Sequence, residues 1–126
     1  MLSKLLIAAE RGDAEAQFML GAYYHKGMSG TMDEAAAIRW YRKAAEQDYS
    51  EAQFALGVCY DNGHGVVGDA VEAYKWFLLA GAYENAPTDN FPGKLVAKIT
   101  AEQTAEAKAR VKKWTYEREL RRSAQK

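Results

Sequence analysis

The chain has 126 residues and a mass of 14.0 kDa, enough for one compact domain or a short repeat array and too little for two independent domains. Hydrophobic residues make up 48% and charged residues 27%, with two prolines, which excludes a disordered, collagen-like or membrane-spanning chain. Seventeen Lys and Arg balance seventeen Asp and Glu, so the net field gives no long-range reason to seek nucleic acid or anionic lipid. The charge is unevenly placed: residues 108–126 carry eight basic side chains against Glu117 and Glu119, leaving +6 there and −6 in the rest. The single cysteine, Cys59, excludes an intramolecular disulfide framework and leans toward a reducing compartment.

The first segment, residues 1–12, is a short apolar run broken by Lys4 and followed by Glu10, Arg11 and Asp13. It is too short for a signal peptide, and a cytoplasmic chain is expected. It reads instead as a capping helix with Leu5, Leu6 and Ala9 facing inward. From Ala8 onward the chain repeats itself. Laying Ala8–Lys43 over Ala44–Leu79 gives fourteen identities without a gap, among them Gln17/Gln53, Phe18/Phe54, Leu20/Leu56, Gly21/Gly57, Tyr24/Tyr60, Gly27/Gly63, Asp33/Asp69 and Trp40/Trp76. Unrelated segments of this length would share roughly two, so a fixed period of this size marks a solenoid whose units bury their apolar faces on one another.

Each unit, 13–48 and 49–84, reads as a pair of helices. Helix A spans about Ala14–Lys26 in the first and about Glu51–Asn62 in the second. Ala16, Leu20 and Tyr24 share one face of the first, and Ala52, Leu56 and Tyr60 one face of the second. Gly27 and Gly63 end these helices in the left-handed conformation. Asp33 and Asp69 cap the helix B that follows; Asp69 with Glu72, and Ser50 with Gln53, have capping-box spacing. Helix B sets Ala37, Ala44, Ala73 and Ala80 for close approach and Trp40, Tyr41, Trp76 and Phe77 to fill the volume between layers.

These runs, Ala-Glu-Ala-Gln-Phe-x-Leu-Gly-x-x-Tyr followed by Gly, Asp and Ala-x-x-Trp-Tyr/Phe-x-x-Ala, resemble the Sel1-like repeat family, related to tetratricopeptide repeats. The resemblance covers roughly Leu5 to Gly81 and departs from the pattern at Met28-Ser29-Gly30. It implies an all-α, right-handed solenoid of two full repeats with degenerate capping helices, and roles in scaffolding, signalling and complex assembly. Some Sel1-like proteins also resemble immunity proteins that neutralise a secreted toxin.

Beyond Gly81 the repeat breaks at Pro87 and Pro92-Gly93, giving an irregular connection over 85–99 with a short helix around Lys94–Ile99. Thr100 and Gln103 form a capping box for a long basic helix over 100–126. Trp114 is expected to close the core as a degenerate third helix B.

Catalytic chemistry is not expected. His25 and His64 sit at non-equivalent positions of different units and read as surface histidines; they form no metal-ligand set. Cys59 has no basic neighbour in sequence to activate it and reads as a packed thiol. Asp13/Glu15, Asp33/Glu34 and Asp69/Glu72 sit at helix starts, where capping accounts for them. No cofactor, metal or small-molecule substrate is implied, and the expected partner is a protein.

In tetratricopeptide-like folds helix A lines a concave groove. Glu15, Met19, Ala22, Tyr23 and Lys26 lie off its packing face in the first unit, and Glu51, Ala55, Val58, Cys59 and Asn62 in the second. The expected groove uses Met19 and Tyr23 as anchors, with Lys26 or Asp61 as orienting charges. A second surface is the basic tail, Lys112, Lys113, Arg118, Arg121 and Arg122, which reads first as a solvated helix end and second as a nucleic-acid or anionic-surface contact.

Overall fold

Three aspartates begin helices by the same means. The Asp13 carboxylate accepts from Ala16 N at 3.0 Å, Asp33 from Ala36 N at 2.9 Å, and Asp69 from Val71 N and Glu72 N at 3.0 and 3.1 Å. Each thereby satisfies amide donors that a first helical turn leaves without partners. In the computed structural model, which describes residues 2–27, 33–81 and 95–125, the elements are α1 (Leu2–Glu10), α2 (Ala14–Lys26), α3 (Glu34–Ala45), α4 (Ser50–Asn62), α5 (Ala70–Leu79), a single 3-10 turn (Val96–Lys98) and α6 (Ala101–Ala124). Every described element is helical. The Met28-Ser29-Gly30 departure and the break at Pro87 and Pro92-Gly93 lie outside the described residues.

The chain folds as a procession in which each helix packs on the next, α1 on α2, α2 on α3, and so on to α6 on α5. The recurring identities are the joints. The Gln17 side chain donates to Ala9 O at 3.0 Å, and Gln53, one repeat later, to Ala45 O at 3.1 Å. Asp33 N donates to Tyr24 O and Asp69 N to Tyr60 O, at 3.1 and 3.0 Å. Gly27 and Gly63 end α2 and α4 at φ 66° and 71°, as expected of left-handed caps. Gly21 faces the Tyr41 ring and Gly57 the Phe77 ring, each so closely that a Cβ would lie 2.5 and 2.7 Å from ring carbon. Helix A and helix B of each repeat therefore meet glycine to aromatic.

The buried interior runs along this stack. Ala9, Ala16 and Leu20 join α1 to α2. Tyr41, Ala44, Ala45, Leu56, Cys59 and Trp76 bind the two repeats. Tyr74, Phe77, Val96 and Ala107 hold the C-terminal end. Trp114 closes on Trp76 edge to face, with ring centroids 6.3 Å apart, and Arg118 lies 5.0 Å over its outer side.

Four expectations are corrected. Leu6 is exposed rather than inward, because α1 has one helix to pack on, and Leu5, Ala8 and Ala9 form that contact. Ser50 is not a cap: Tyr49 holds that position with no side-chain capping bond, Ser50 Oγ donates to Glu51, and Gln53 is committed to Ala45. Asp69 caps its helix, but Glu72 pairs with Lys75 and Arg110 instead of completing a box; the box at Thr100 and Gln103 does form. The end of α6 is also not simply a solvated helix end, since Arg118 and Arg122 both donate to the carboxylate of Asp48. Asp48, the one described non-glycine residue with positive φ (66°), thus anchors α6 to the junction between repeats.

Candidate functional site

A concavity lies between the two A helices. Phe18, Ala22 and Lys26 recur every four residues along α2 and supply one wall. Ser50, Glu51, Phe54 and Ala55 of α4 supply the other, with Tyr41 and Ala80 also lining a space of about 540 Å³. Phe18 is wedged between Tyr41 and Tyr49, centroids at 5.7 and 5.6 Å, and Phe54 leans on Phe77 at 5.3 Å while remaining 36% exposed. The aromatic walls are thus held by the layer beneath, and the two alanines leave room between them.

This groove takes some of the expected residues and not others. Ala22, Lys26, Ala55 and Glu51 line it. Glu15 and Met19 do not: their equivalents one repeat later are Glu51 and Ala55, which face the preceding helix A, and among the described residues α2 has none before it. Met19 therefore sits 49% exposed on the N-terminal edge. Tyr23 is half-buried edge-on against Tyr24. Val58 and Asn62 lie on the far side of α4, where Val58 packs toward Tyr74, Phe77 and Val96. Asp61 is no orienting charge: at 4% exposure its Oδ1 accepts from Leu95 N and Val96 N, both at 2.9 Å, and so caps the 3-10 turn. Phe18 and Phe54 were missed as groove residues, although their recurrence off the Ala16/Leu20/Tyr24 face carried the signal.

Cys59 is buried, and burial, reinforced by Glu34, pushes its thiol up to about 11, so it stays protonated at neutral pH. Burial likewise pushes Tyr41 up to about 12, with a smaller contribution from Cys59. His25 and His64, apart in sequence, come together with ring centroids 6.0 Å from one another. Among the described residues no three His, Cys, Asp or Glu side chains converge as a metal site. In the tail, Arg118, Arg121 and Arg122 border a polar hollow of about 390 Å³ shared with Glu46 and Asp48, whose carboxylates offset their charge; Lys112 and Lys113 are exposed.

A row of helix pairs joined by repeated hydrogen bonds, with a groove between successive A helices, defines a short α-solenoid of the tetratricopeptide-like class. The Sel1 repeat profile matches residues 14–49 and 50–82, and the chain belongs to the Sel1 repeat family. Among solved structures, it is similar to a protective antigen present in uropathogenic Escherichia coli strains displaying an SLR fold, at 33% identity and a TM-score of 0.76, over 99% of this chain and 28% of that one. It is also similar to a Sel1 repeat protein from Oxalobacter formigenes, at 38% identity and a TM-score of 0.56, over 60% of this chain and 31% of that one. The chain thus spans about a third or less of the length of these structures. No curated protein matches it. Sel1 repeats are generally protein–protein interaction modules and typically non-catalytic. Among the described residues no helix is long and apolar enough to cross a membrane.

Proposed function

We propose that this chain is a non-enzymatic adaptor or scaffold module that holds a peptide or the edge of a protein in the groove between α2 and α4. The observation that carries the reading is the wall pair itself: Phe18 and Phe54 held by the aromatic layer below, with Ala22 and Ala55 leaving a slot between them. An apolar side chain of the partner fits that slot, and Lys26 and Glu51 offer charges of opposite sign to orient the segment that carries it. The protonated Cys59 supplies no nucleophile. An adaptor and a toxin-neutralising protein would use the groove alike, and the identity of the occupant separates them.

Peptides selected from a random display library against the whole chain test the reading. Selected peptides should shift the amide resonances of Phe18, Ala22, Phe54 and Ala55, and Ala22→Arg with Ala55→Arg should abolish their binding without loss of helical content. Binding that survives the double substitution, or that maps to another face, overturns the proposal.

A further inference from the structure

Helix α6 has two sides, and the stack uses one of them. Ala107, Arg110, Trp114 and Arg118 recur every three or four residues and turn toward the rest of the protein. Ala107 is fully buried, Arg110 pairs with Glu72, Trp114 meets Trp76, and Arg118 donates to Asp48. At about 100° per residue, the opposite side is made by Ala105, Ala109, Tyr116 and Leu120, with Lys112 and Lys113 between them. All six are exposed, Tyr116 at 64% and Leu120 at 51%. Glu117 and Glu119 flank the same side. Among the described residues these two lysines and two glutamates form no ion pair, although Lys113 and Glu117 are one turn apart.

Lysines come first along this side of α6 and glutamates second. A second copy of the same helix, running in the opposite direction, therefore sets unlike charges against one another, whereas a parallel copy would set lysine against lysine. With a twofold axis passing between Thr115 and Tyr116, Lys112 of one copy stands opposite Glu119 of the other along one flank. Lys113 stands beside Glu117 of the other copy along the second flank, and symmetry doubles both pairs. Leu120 then lies over Ala109, large on small, and the two Tyr116 rings meet at the axis. The basic excess of the tail does not oppose this arrangement. Arg110, Arg118 and Arg122 are already paired on the packed side with Glu72, Glu106 and Asp48, and Lys108 falls opposite Ser123.

We propose that the outer side of α6 is a dimerisation surface, on which a second copy of this chain seats its own α6 antiparallel. Such an interface uses the same patch on both copies and closes at two. From Ala105 to Leu120 it is about 23 Å long, at the small end of specific interfaces, so the dimer is reversible and concentration-dependent. Helix α6 lends no residue to the groove between α2 and α4. The dimer therefore presents two grooves, and its formation does not depend on what they hold.

The test is sedimentation equilibrium of the full chain over a range of concentrations, at low and at high ionic strength. Two double variants are run beside it, Lys112→Glu with Lys113→Glu, and Glu117→Lys with Glu119→Lys, with circular dichroism to follow helical content. The wild type should form a dimer that weakens as salt is added. Each double variant alone should dimerise at least about tenfold more weakly, because four pairs across the interface change from attraction to repulsion. Mixed in equal amounts, the two variants should recover a one-to-one heterodimer, the all-acidic side of one meeting the all-basic side of the other. Leu120→Asp keeps those four charges and should also be monomeric, and it decides the matter if a double variant loses helical content. A wild type that stays monomeric or forms a larger oligomer, a dimer that the variants keep, or a mixture that fails to associate each overturns the proposal.

Discussion

Gly57→Ala, which on helix propensity alone should stabilise α4, is expected to destabilise this protein. Alanine in a helix interior is favoured over glycine by about 0.8–1 kcal/mol. The new methyl, however, would lie 2.7 Å from two carbons of the Phe77 ring, where carbon–carbon contacts are normally about 3.5–4.0 Å. Phe77 is 1% exposed and leans on Phe54, so the ring cannot yield outward. Overpacking of this kind costs about 1–3 kcal/mol, and with the ring held in place the upper part of that range applies, leaving a net loss of up to about 2 kcal/mol. For a chain of this size that lowers Tm by up to about 8 °C. Gly21→Ala, with its methyl 2.5 Å from the Tyr41 ring, should lose at least as much. Thermal and urea unfolding followed by far-UV circular dichroism give both values. Phe77→Leu in the Gly57→Ala background tests the cause, since a smaller partner should recover about 1 kcal/mol relative to additivity. A Tm raised by Gly57→Ala, or strict additivity with Phe77→Leu, refutes the close-approach argument.

Gln53→Leu keeps the volume but removes the side-chain donor to the Ala45 carbonyl, which then keeps only the Asp48 amide, and should cost about 1 kcal/mol in urea unfolding. Asp61→Ala removes the acceptor of both Leu95 N and Val96 N; hydrogen exchange should show the Val96 amide losing its protection, with a stability loss of about 2–3 kcal/mol. Stability should also fall in alkali. Cys59 is raised from 9.0 to about 11 and Tyr41 from 10.0 to about 12, so above pH 9 the unfolded chain releases protons that the folded one keeps. The Cys59 contribution, about 2–3 kcal/mol, is intact below pH 9 and is lost progressively as pH rises to about 11. Cys59→Ala should flatten the decline over that interval in denaturation series at fixed pH, and an unchanged slope would contradict it.

The comparison of repeats made most of the fold legible. The bounds of α2, the caps at Gly27, Gly63, Asp33 and Asp69, and the box at Thr100 and Gln103 all appear where their local patterns put them. The capping-box spacing at Ser50 and Gln53 misled because the same side chain had a stronger use: Gln53 reaches Ala45 O in a site closed to water. A spacing rule sees which partners are in reach along the chain and is blind to those across it. The groove suffered similarly. Met19 and Tyr23 have the right chemistry for anchors, but which edge of helix A faces a neighbour depends on where the adjacent helix A lies, and α2 has such a neighbour on its C-terminal side only.

Period, helix limits and the alternation of glycine and alanine with aromatics are written within a few residues of each position, because capping, φ preference and helical periodicity act at that range. The meeting of His25 with His64, the seat of Asp61 under the 3-10 turn, and the reach of Arg118 to Asp48 across seventy positions have no such local source. They follow from the rotation and spacing between successive helix pairs. That geometry is set by the sum of many packing contacts such as Gly21 on Tyr41 and Gly57 on Phe77, and it exists only once the stack has formed.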